Sequence, residues 1–317
     1  MKILLAAEEA AGVHALRAVL RSGHELVAVL TSETGPHGAG SPVRAAAAQL
    51  GYPVWPAEWV KDPNLAERIR GEGVEVLVNV HSLFVIHPAV LVVLRHGAYN
   101  MHPGPLPEYA GLNAVSWALY QGESKHAVTI HRIAPSIDAG PIAYTTWFPV
   151  GDGDTALTLG VKCVTLGMVL LDRLLVALAA NPPVVPEMSQ DLTRRRYYGR
   201  GVPNEGRLDW SRPALEIVNF VRACDYVPFE SPWGHPTTRL DGRELSIVKA
   251  GRTGEPCRDV PGTVGRVVDR TAFVAAADEW VRVHRLMSAG QMIEARDVLV
   301  PGHHFDEPAP VATREQR

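Results

Sequence analysis

The chain has 317 residues, 46% hydrophobic and 21% charged, which is long enough for two globular domains and excludes a disordered composition. A formal net charge of -3 gives no global electrostatic reason to expect a nucleic-acid partner or a membrane surface. Cys163, Cys224 and Cys257 are odd in number and far apart, so neither a disulfide framework nor a CxxC metal site is readable, and a reducing cytoplasm is the expected location.

The opening stretch "MKILLAAEEAAGVHALRAVL" has an apolar run too short for a signal h-region or a membrane span, and Glu8 and Glu9 end it. "KILLAA" and "HELVAVLTS" read as short buried strands. Between them Val13, Leu16, Val19 and Leu20 recur at helical spacing before Gly23, which completes a βαβ unit. Helices near "SPVRAAAAQLG" and "NLAERIRGEG" and a strand at "VEVLVNV" continue the alternation and predict a parallel sheet wound with helices, with ligands at the carboxyl ends of its strands. No G-x-G-x-x-G follows the first strand, so a dinucleotide cradle is excluded.

The strand "GAYNMH" delivers Asn100 and His102 to such a carboxyl end, two residues apart and therefore on one face. A stiff loop, "PGPLPEYAGL", follows. After the helix "NAVSWALYQG", the strand "AVTIHRI" leads into the turn "APSIDAGPI", which returns the carboxylate of Asp138 to the sheet region. "DTALTLGVKCVTLGMVLLDRLLVALAA" is a long apolar helix, kept from being a span by Asp172 and Arg173. Residues 184–210 lose the apolar period, gain prolines and carry Arg194, Arg195, Arg196 and Arg200, which marks a linker. A helix at "PALEIVNFVRAC" and short alternating segments broken by Asp-Gly and Gly turns follow, which predicts a small, β-rich, barrel-like second domain.

An amide, an imidazole and a carboxylate together suit acyl transfer without an enzyme nucleophile. The amide donates to an oxyanion, the imidazole donates to it or moves a proton, and the carboxylate sets the imidazole's tautomer. Spacing alone leaves open that His102 and Asp138 are unrelated polar residues at strand ends. His81, His87, His126 and His131 are expected to be structural or at the surface, and no spacing suggests a metal site.

The window as a whole resembles the folate-dependent formyltransferase family, which includes methionyl-tRNA, glycinamide ribonucleotide and sugar N-formyltransferases. The resemblance lies in Asn100-x-His102, the loop Leu106-Pro107-x-x-x-Gly111, the strand Ala127 to Ile130, and the Ile-Asp-x-Gly-Pro-Ile turn with Asp138 and Gly140. It continues in "RRYYGRGVPNEGRLDW" and "PGTVGRVVD". It implies an α/β fold, with a Rossmann-like formyltransferase domain (1–183), a linker (184–210) and a C-terminal helix plus OB-like barrel (211–317).

It also implies that Asn100, His102 and Asp138 are catalytic, with 10-formyltetrahydrofolate as co-substrate. Asn100 and His102 would stabilise the oxyanion, while Asp138 would orient His102 and help take the amine's proton. The family's pterin pocket falls here on Leu83, Phe84, Val85 and Ile86, with Ile133, Ser136 and Ile137 opposite. Pro105, Tyr109, Gly111 and Arg196 fall on the acceptor side.

The tRNA-specific members carry a basic loop after the second strand, whereas no Lys or Arg stands between Thr31 and Arg44. The loop with Gly-Pro-Leu-Pro and Tyr-Ala-Gly is more similar to small-molecule members. The expected acceptor is thus a small amine, an amino sugar or amino acid, with nucleic acid not expected and methionyl-tRNA the alternative. The arginine cluster suits a nucleotide-sugar phosphate or a carrier protein's phosphopantetheine as well as it suits a solvated face. A 10-formyltetrahydrofolate hydrolase and a non-catalytic folate- or carrier-binding protein stay open as other classes, and a homodimer is compatible with each.

Overall fold

The computed structural model describes residues 1–34 and 40–306. Part of the cation-free stretch between Thr31 and Arg44, residues 35–39, lies outside the described residues, as do 307–317 of the expected C-terminal domain. The chain forms two compact units, one of Met1–Gly111, Lys125–Phe148 and Val161–Tyr197, the other of Leu112–Ser124, Pro149–Gly160 and Tyr198 onward.

The first unit is built on seven strands: β1 (Lys2–Ala7), β2 (Glu25–Thr31), β3 (Val54–Pro56), β4 (Val76–Val80), β5 (Ala98–His102), β6 (Lys125–Arg132) and β7 (Ile142–Pro149). Their order in the sheet is β3-β2-β1-β4-β5-β6-β7. The strands from β3 through β5 are mutually parallel; β1 is buried from Ile3 to Ala7 and β4 along its whole length, as strands covered on both faces require. Helix α1 (Glu9–Arg21) buries Ala11, Ala15, Leu16, Ala18 and Val19, so alanines fill much of the face on which the larger apolar residues had suggested the period. Helix α2 (Pro42–Gln49) starts on Ser41, whose hydroxyl accepts from the Arg44 N–H at 3.3 Å. Helices α3 (Leu65–Glu72) and α4 (Pro88–Val92) complete the crossovers to β4 and β5.

The expected parallel sheet departs from uniformity at β6, which runs antiparallel to β5. Burial explains why direction was unreadable: Ala127, Val128, Thr129 and Ile130 are all buried, and a strand covered on both faces shows the same apolar run whichever way it points. Gly140 permits the tight return from β6 to β7, because a Cβ there would lie 1.9 Å from the Arg132 carbonyl oxygen.

In the second unit, helices α5 (Ala114–Tyr120) and α7 (Ala214–Ala223) pack together, with Tyr120 edge-on to Phe220 at 5.2 Å. Between them in sequence runs α6 (Ala156–Ala179), which continues into the first unit. The strands that follow, β8 (Thr237–Leu240), β9 (Arg243–Pro256), β10 (Val264–Val268), β11 (Thr271–Ala275), β12 (Glu279–Ser288) and β13 (Gln291–Glu294), form an antiparallel sheet ordered β8-β9-β12-β11-β10, with β13 on β12. The chain after β13 joins the two outer strands. Val264 of β10 exchanges bonds with Gly302 and His303, both 2.8 Å, and the Asp306 N–H donates to the Arg239 carbonyl of β8 at 2.8 Å. The sheet therefore closes on itself in the manner of a small barrel. Among the described residues, no helix is long and apolar enough to cross a membrane.

Candidate active site

The carboxyl ends of β1, β4 and β5 lie side by side, and β5 ends in Asn100 and His102. Pairing sets Asn100 opposite Asn79 of β4 on one side and opposite His131 of β6 on the other. A polar row thus crosses three adjacent strands. Asn79 Nδ2 donates to Asn100 Oδ1 at 2.9 Å and to the Ser82 carbonyl at 3.1 Å. That fixes the Asn100 amide with its oxygen toward β4 and its Nδ2 toward β6. There Nδ2 lies 3.1 Å from His131 Nε2 and 3.5 Å from Asp138 Oδ1.

Asp138 reaches this row from the turn between β6 and β7. Its backbone sits at φ +52°, and its side chain is 9% exposed. The Gly111 N–H donates to Oδ2 at 2.8 Å, and His131 Nε2 lies 3.3 Å from Oδ1. Burial pushes the carboxyl up, but the charge that His102 carries whenever it is protonated, the contact with His131 and the Gly111 N–H together outweigh it and hold Asp138 well below the ordinary carboxylate range. Asp138 is ionised at neutral pH.

His102 is 3% exposed. Its Nε2 stands 2.6 Å from the Tyr109 carbonyl, which can only accept, so Nε2 carries the proton. Its Nδ1 faces Asp138 Oδ2 at 3.6 Å, a charge contact too long for a hydrogen bond. Burial pushes His102 down from its ordinary value and outweighs the carboxylate that pulls it up. The neutral ring therefore presents an Nδ1 lone pair beside an anion. The family resemblance implies that Asp138 orients His102; the bond that sets this tautomer comes from the Tyr109 carbonyl.

His131, expected to be structural or at the surface, is buried and adjoins the cluster: it is 2% exposed, donates from Nδ1 to the Arg132 carbonyl at 3.0 Å, and touches both Asn100 and Asp138. Only the antiparallel register reveals this, and that register is absent from any single strand's pattern. Of the other histidines, His126 is fully buried and bonds the Pro103 carbonyl at 2.9 Å, His87 caps α4 by accepting from the Ala89 N–H, and His81 follows β4 and pairs with Glu9 at 3.2 Å.

The remaining candidates divide. Tyr109 and Gly111 meet the cluster through backbone groups, and buried Pro105 accepts from the Tyr109 N–H at 2.9 Å. Arg196 approaches the same loop through its main chain, donating to the Pro107 carbonyl and accepting from the Ala110 N–H, while the residue is largely exposed. In the loop after β4, residues alternate. Ile86 is 7% exposed and Phe84 packs on the same core, whereas Leu83 and Val85 are 79% and 57% exposed. Ile133 also packs on that core, and Ser136 and Ile137 are exposed on the Asp138 turn. Four apolar residues predicted as one wall are thus two core residues and two outward ones, as a locally extended backbone dictates. Two residues beyond the predicted site hold the Asp138 turn: Gln190, which the sequence did not mark, donates from Nε2 to the Asp138 and Gly140 carbonyls at 2.9 and 2.6 Å, and Arg195, marked only as part of the arginine cluster, donates from Nη2 to the Ile137 carbonyl at 2.9 Å.

An α/β sheet with a half-buried amide, a buried imidazole and an ionised carboxylate at its carboxyl edge has the groups an acyl transfer needs, and among the described residues no hydroxyl or thiol bonds to the cluster as a nucleophile would. Residues 1–174 match the family model described as formyl transferase, and residues 202–300 match that of the formyl transferase C-terminal domain. A methionyl-tRNA formyltransferase of Solibacter usitatus is 31% identical over 296 residues, which is 92% of each chain. The chain belongs to the formyltransferase family. Two solved structures share the fold. The N-formyltransferase of Helicobacter canadensis, in complex with folinic acid and dTDP-3-aminofucose, is 17% identical with a TM-score of 0.68, covering 89% of this chain and 98% of that one. WlaRD, a sugar 3N-formyl transferase crystallised with dTDP and 5-N-formyl-THF, is 16% identical with a TM-score of 0.68, covering 92% of this chain and 98% of that one.

Proposed function

We propose that this protein transfers the formyl group of 10-formyltetrahydrofolate to a primary or hydroxylated amine of a small molecule, an amino sugar or amino acid. The observation that carries the reading is the meeting of Asn100, His102 and Asp138 in one cluster, with Asn100 Nδ2 3.5 Å from Asp138 Oδ1 and His102 Nδ1 3.6 Å from Oδ2. The acceptor nitrogen adds to the formyl carbon, and the carbonyl oxygen becomes an oxyanion. Asn100 Nδ2, already turned by Asn79, is the donor for that oxygen, a kind of contact worth about 3 to 4 kcal/mol in the barrier. The nitrogen's proton passes to His102 Nδ1, and the imidazolium so formed is stabilised by Asp138. Collapse expels N10 of tetrahydrofolate, which takes that proton. Because the Nε2 proton is committed to Tyr109, His102 acts here as proton carrier and not as the oxyanion donor expected from sequence.

The exposed apolar faces of Leu83, Val85 and Ile137 suit a pterin ring, and Asn79 Oδ1, buried without a partner among the described residues, is an acceptor for one of its N–H groups. In this reading residues 1–183 form the catalytic domain, 184–210 the linker and 211–317 the C-terminal domain, and the enzyme works in the cytoplasm. The absence of Lys and Arg between Thr31 and Arg44 supports a small acceptor, since phosphate neutralisation needs cations. The 92% coverage of the methionyl-tRNA formyltransferase relative supports methionyl-tRNA as the second reading.

A panel of nucleotide-linked amino sugars, ornithine, hydroxyornithine, aminoglycosides and methionyl-tRNA, each with 10-formyltetrahydrofolate, separates the two. A formylated small amine, found by mass together with released tetrahydrofolate, is the expected result. Formylation of methionyl-tRNA alone overturns the acceptor assignment, and formate release without any acceptor identifies a hydrolase.

A further inference from the structure

The segment after α6 is fastened to both loops of the cluster. Met188 and Ile142 exchange backbone bonds at 2.8 and 2.9 Å, tying the segment to the start of β7. Two residues on, the single amide of Gln190 donates to the carbonyls of both Asp138 and Gly140. The main chain then crosses to the other loop, where Arg196 donates to the Pro107 carbonyl at 3.3 Å and accepts from the Ala110 N–H at 3.1 Å. The two loops themselves meet at the bond from the Gly111 N–H to the Asp138 carboxylate.

The Asp138 turn does not hold itself in this shape. At φ +52° Asp138 occupies the left-handed region, which Asp tolerates better than most residues but which no bond within the turn fixes firmly, since the one from the Ala139 N–H to the Ser136 carbonyl is long at 3.3 Å. Two carbonyls two residues apart converge on one point and repel unless a donor stands between them. An NH₂ group supplies two N–H bonds from one atom, which a hydroxyl or an ionised carboxylate cannot.

We infer that Gln190 is a positioning residue: its amide clips the Asp138 turn in the left-handed conformation and so holds the carboxylate on the Gly111 N–H, beside His102. The kinetic consequence rests on the formyl-transfer reading; the geometric one does not.

Gln190→Met keeps the length and removes the donor, while Gln190→Glu keeps the shape and donates only when protonated. The Asp138 titration, followed by carbon-13 carboxyl NMR without substrate, moves up toward the ordinary carboxylate range in Gln190→Met, because the released turn takes the carboxylate off the Gly111 N–H. With donor and acceptor present, kcat of Gln190→Met falls on the order of 10- to 100-fold while KM for the folate stays within about twofold of wild type. The ratio of Gln190→Glu to wild-type kcat rises as pH is lowered through that glutamate's own titration, a recovery that a purely structural role would not produce. An unchanged Asp138 titration with full kcat in Gln190→Met overturns the inference. If Gln190→Met does not fold, Gln190→Glu carries both readouts. If wild type transfers no formyl group, the titration still decides on Gln190 alone.

Discussion

His126 enters β6 fully buried, with Nε2 donating to the Pro103 carbonyl and Nδ1 without a partner among the described residues. Burial pushes it down to about 4 from an ordinary value of 6.5. The folded protein therefore keeps this ring neutral where the unfolded chain takes up a proton, and stability falls as pH drops from 6.5 toward about 4. The full effect is about 3 kcal/mol, of which roughly 2 is lost by pH 5. Asp138 acts in the same direction at lower pH, because its depressed carboxyl stabilises the fold above the ordinary Asp value of 3.8 and loses that contribution below it. Urea unfolding at pH 7 and pH 5 is expected to give a smaller stability difference for His126→Gln than for wild type, and equal differences would remove His126 from the explanation. Legibility at this scale was uneven. Asn100 and His102 stood out because two polar residues close an apolar strand on one face, but His131, in the middle of an equally buried strand, carries no such mark until its neighbour across the sheet is known.

Strands β1, β2, β4 and β5 and helices α1 to α3 of the first unit follow from apolar period and turn residues and were readable, whereas short β3 and α4 carry too few residues to show one. The direction of β6 was not readable either, and that one fact sets Asn100 opposite His131. Gln190 was hidden for a related reason: it lies in a stretch with no period at all, and its role depends on contacts 50 and 52 residues back in the chain. The β6–β7 turn shows how little freedom these contacts leave. Gly140→Ala would put a methyl group 1.9 Å from the Arg132 carbonyl, and backbone atoms cannot swing aside as a side-chain tip can. The turn has to open, and Asp138, two residues away, moves with it. Formyl transfer by Gly140→Ala is expected to drop on the order of 10²-fold, with far-ultraviolet circular dichroism unchanged. Activity within about twofold of wild type would show that the turn tolerates displacement.

At the scale of the whole molecule, neither composition nor charge says what the protein does, and the family is defined by two stretches, residues 1–174 and 202–300. Barrel closure in the second unit depends on residues 302–306, which bond β10 and β8 at opposite edges of the sheet. That segment has no strand pattern, so the sequence suggested a barrel only through its turns and the family resemblance. In the proposed reaction, formyl transfer depends on the cluster that β5 and the β6–β7 turn bring together. The most direct test is the single-turnover rate of transfer from 10-formyltetrahydrofolate to the preferred amine, read as formylated product by mass, for wild type and Asp138→Asn. Asparagine keeps the shape but cannot stabilise an imidazolium at His102, so the rate should fall on the order of 10³-fold, with folate binding retained. A rate within about tenfold of wild type in Asp138→Asn would mean that the proton leaves by another route and that this cluster is not the catalytic centre.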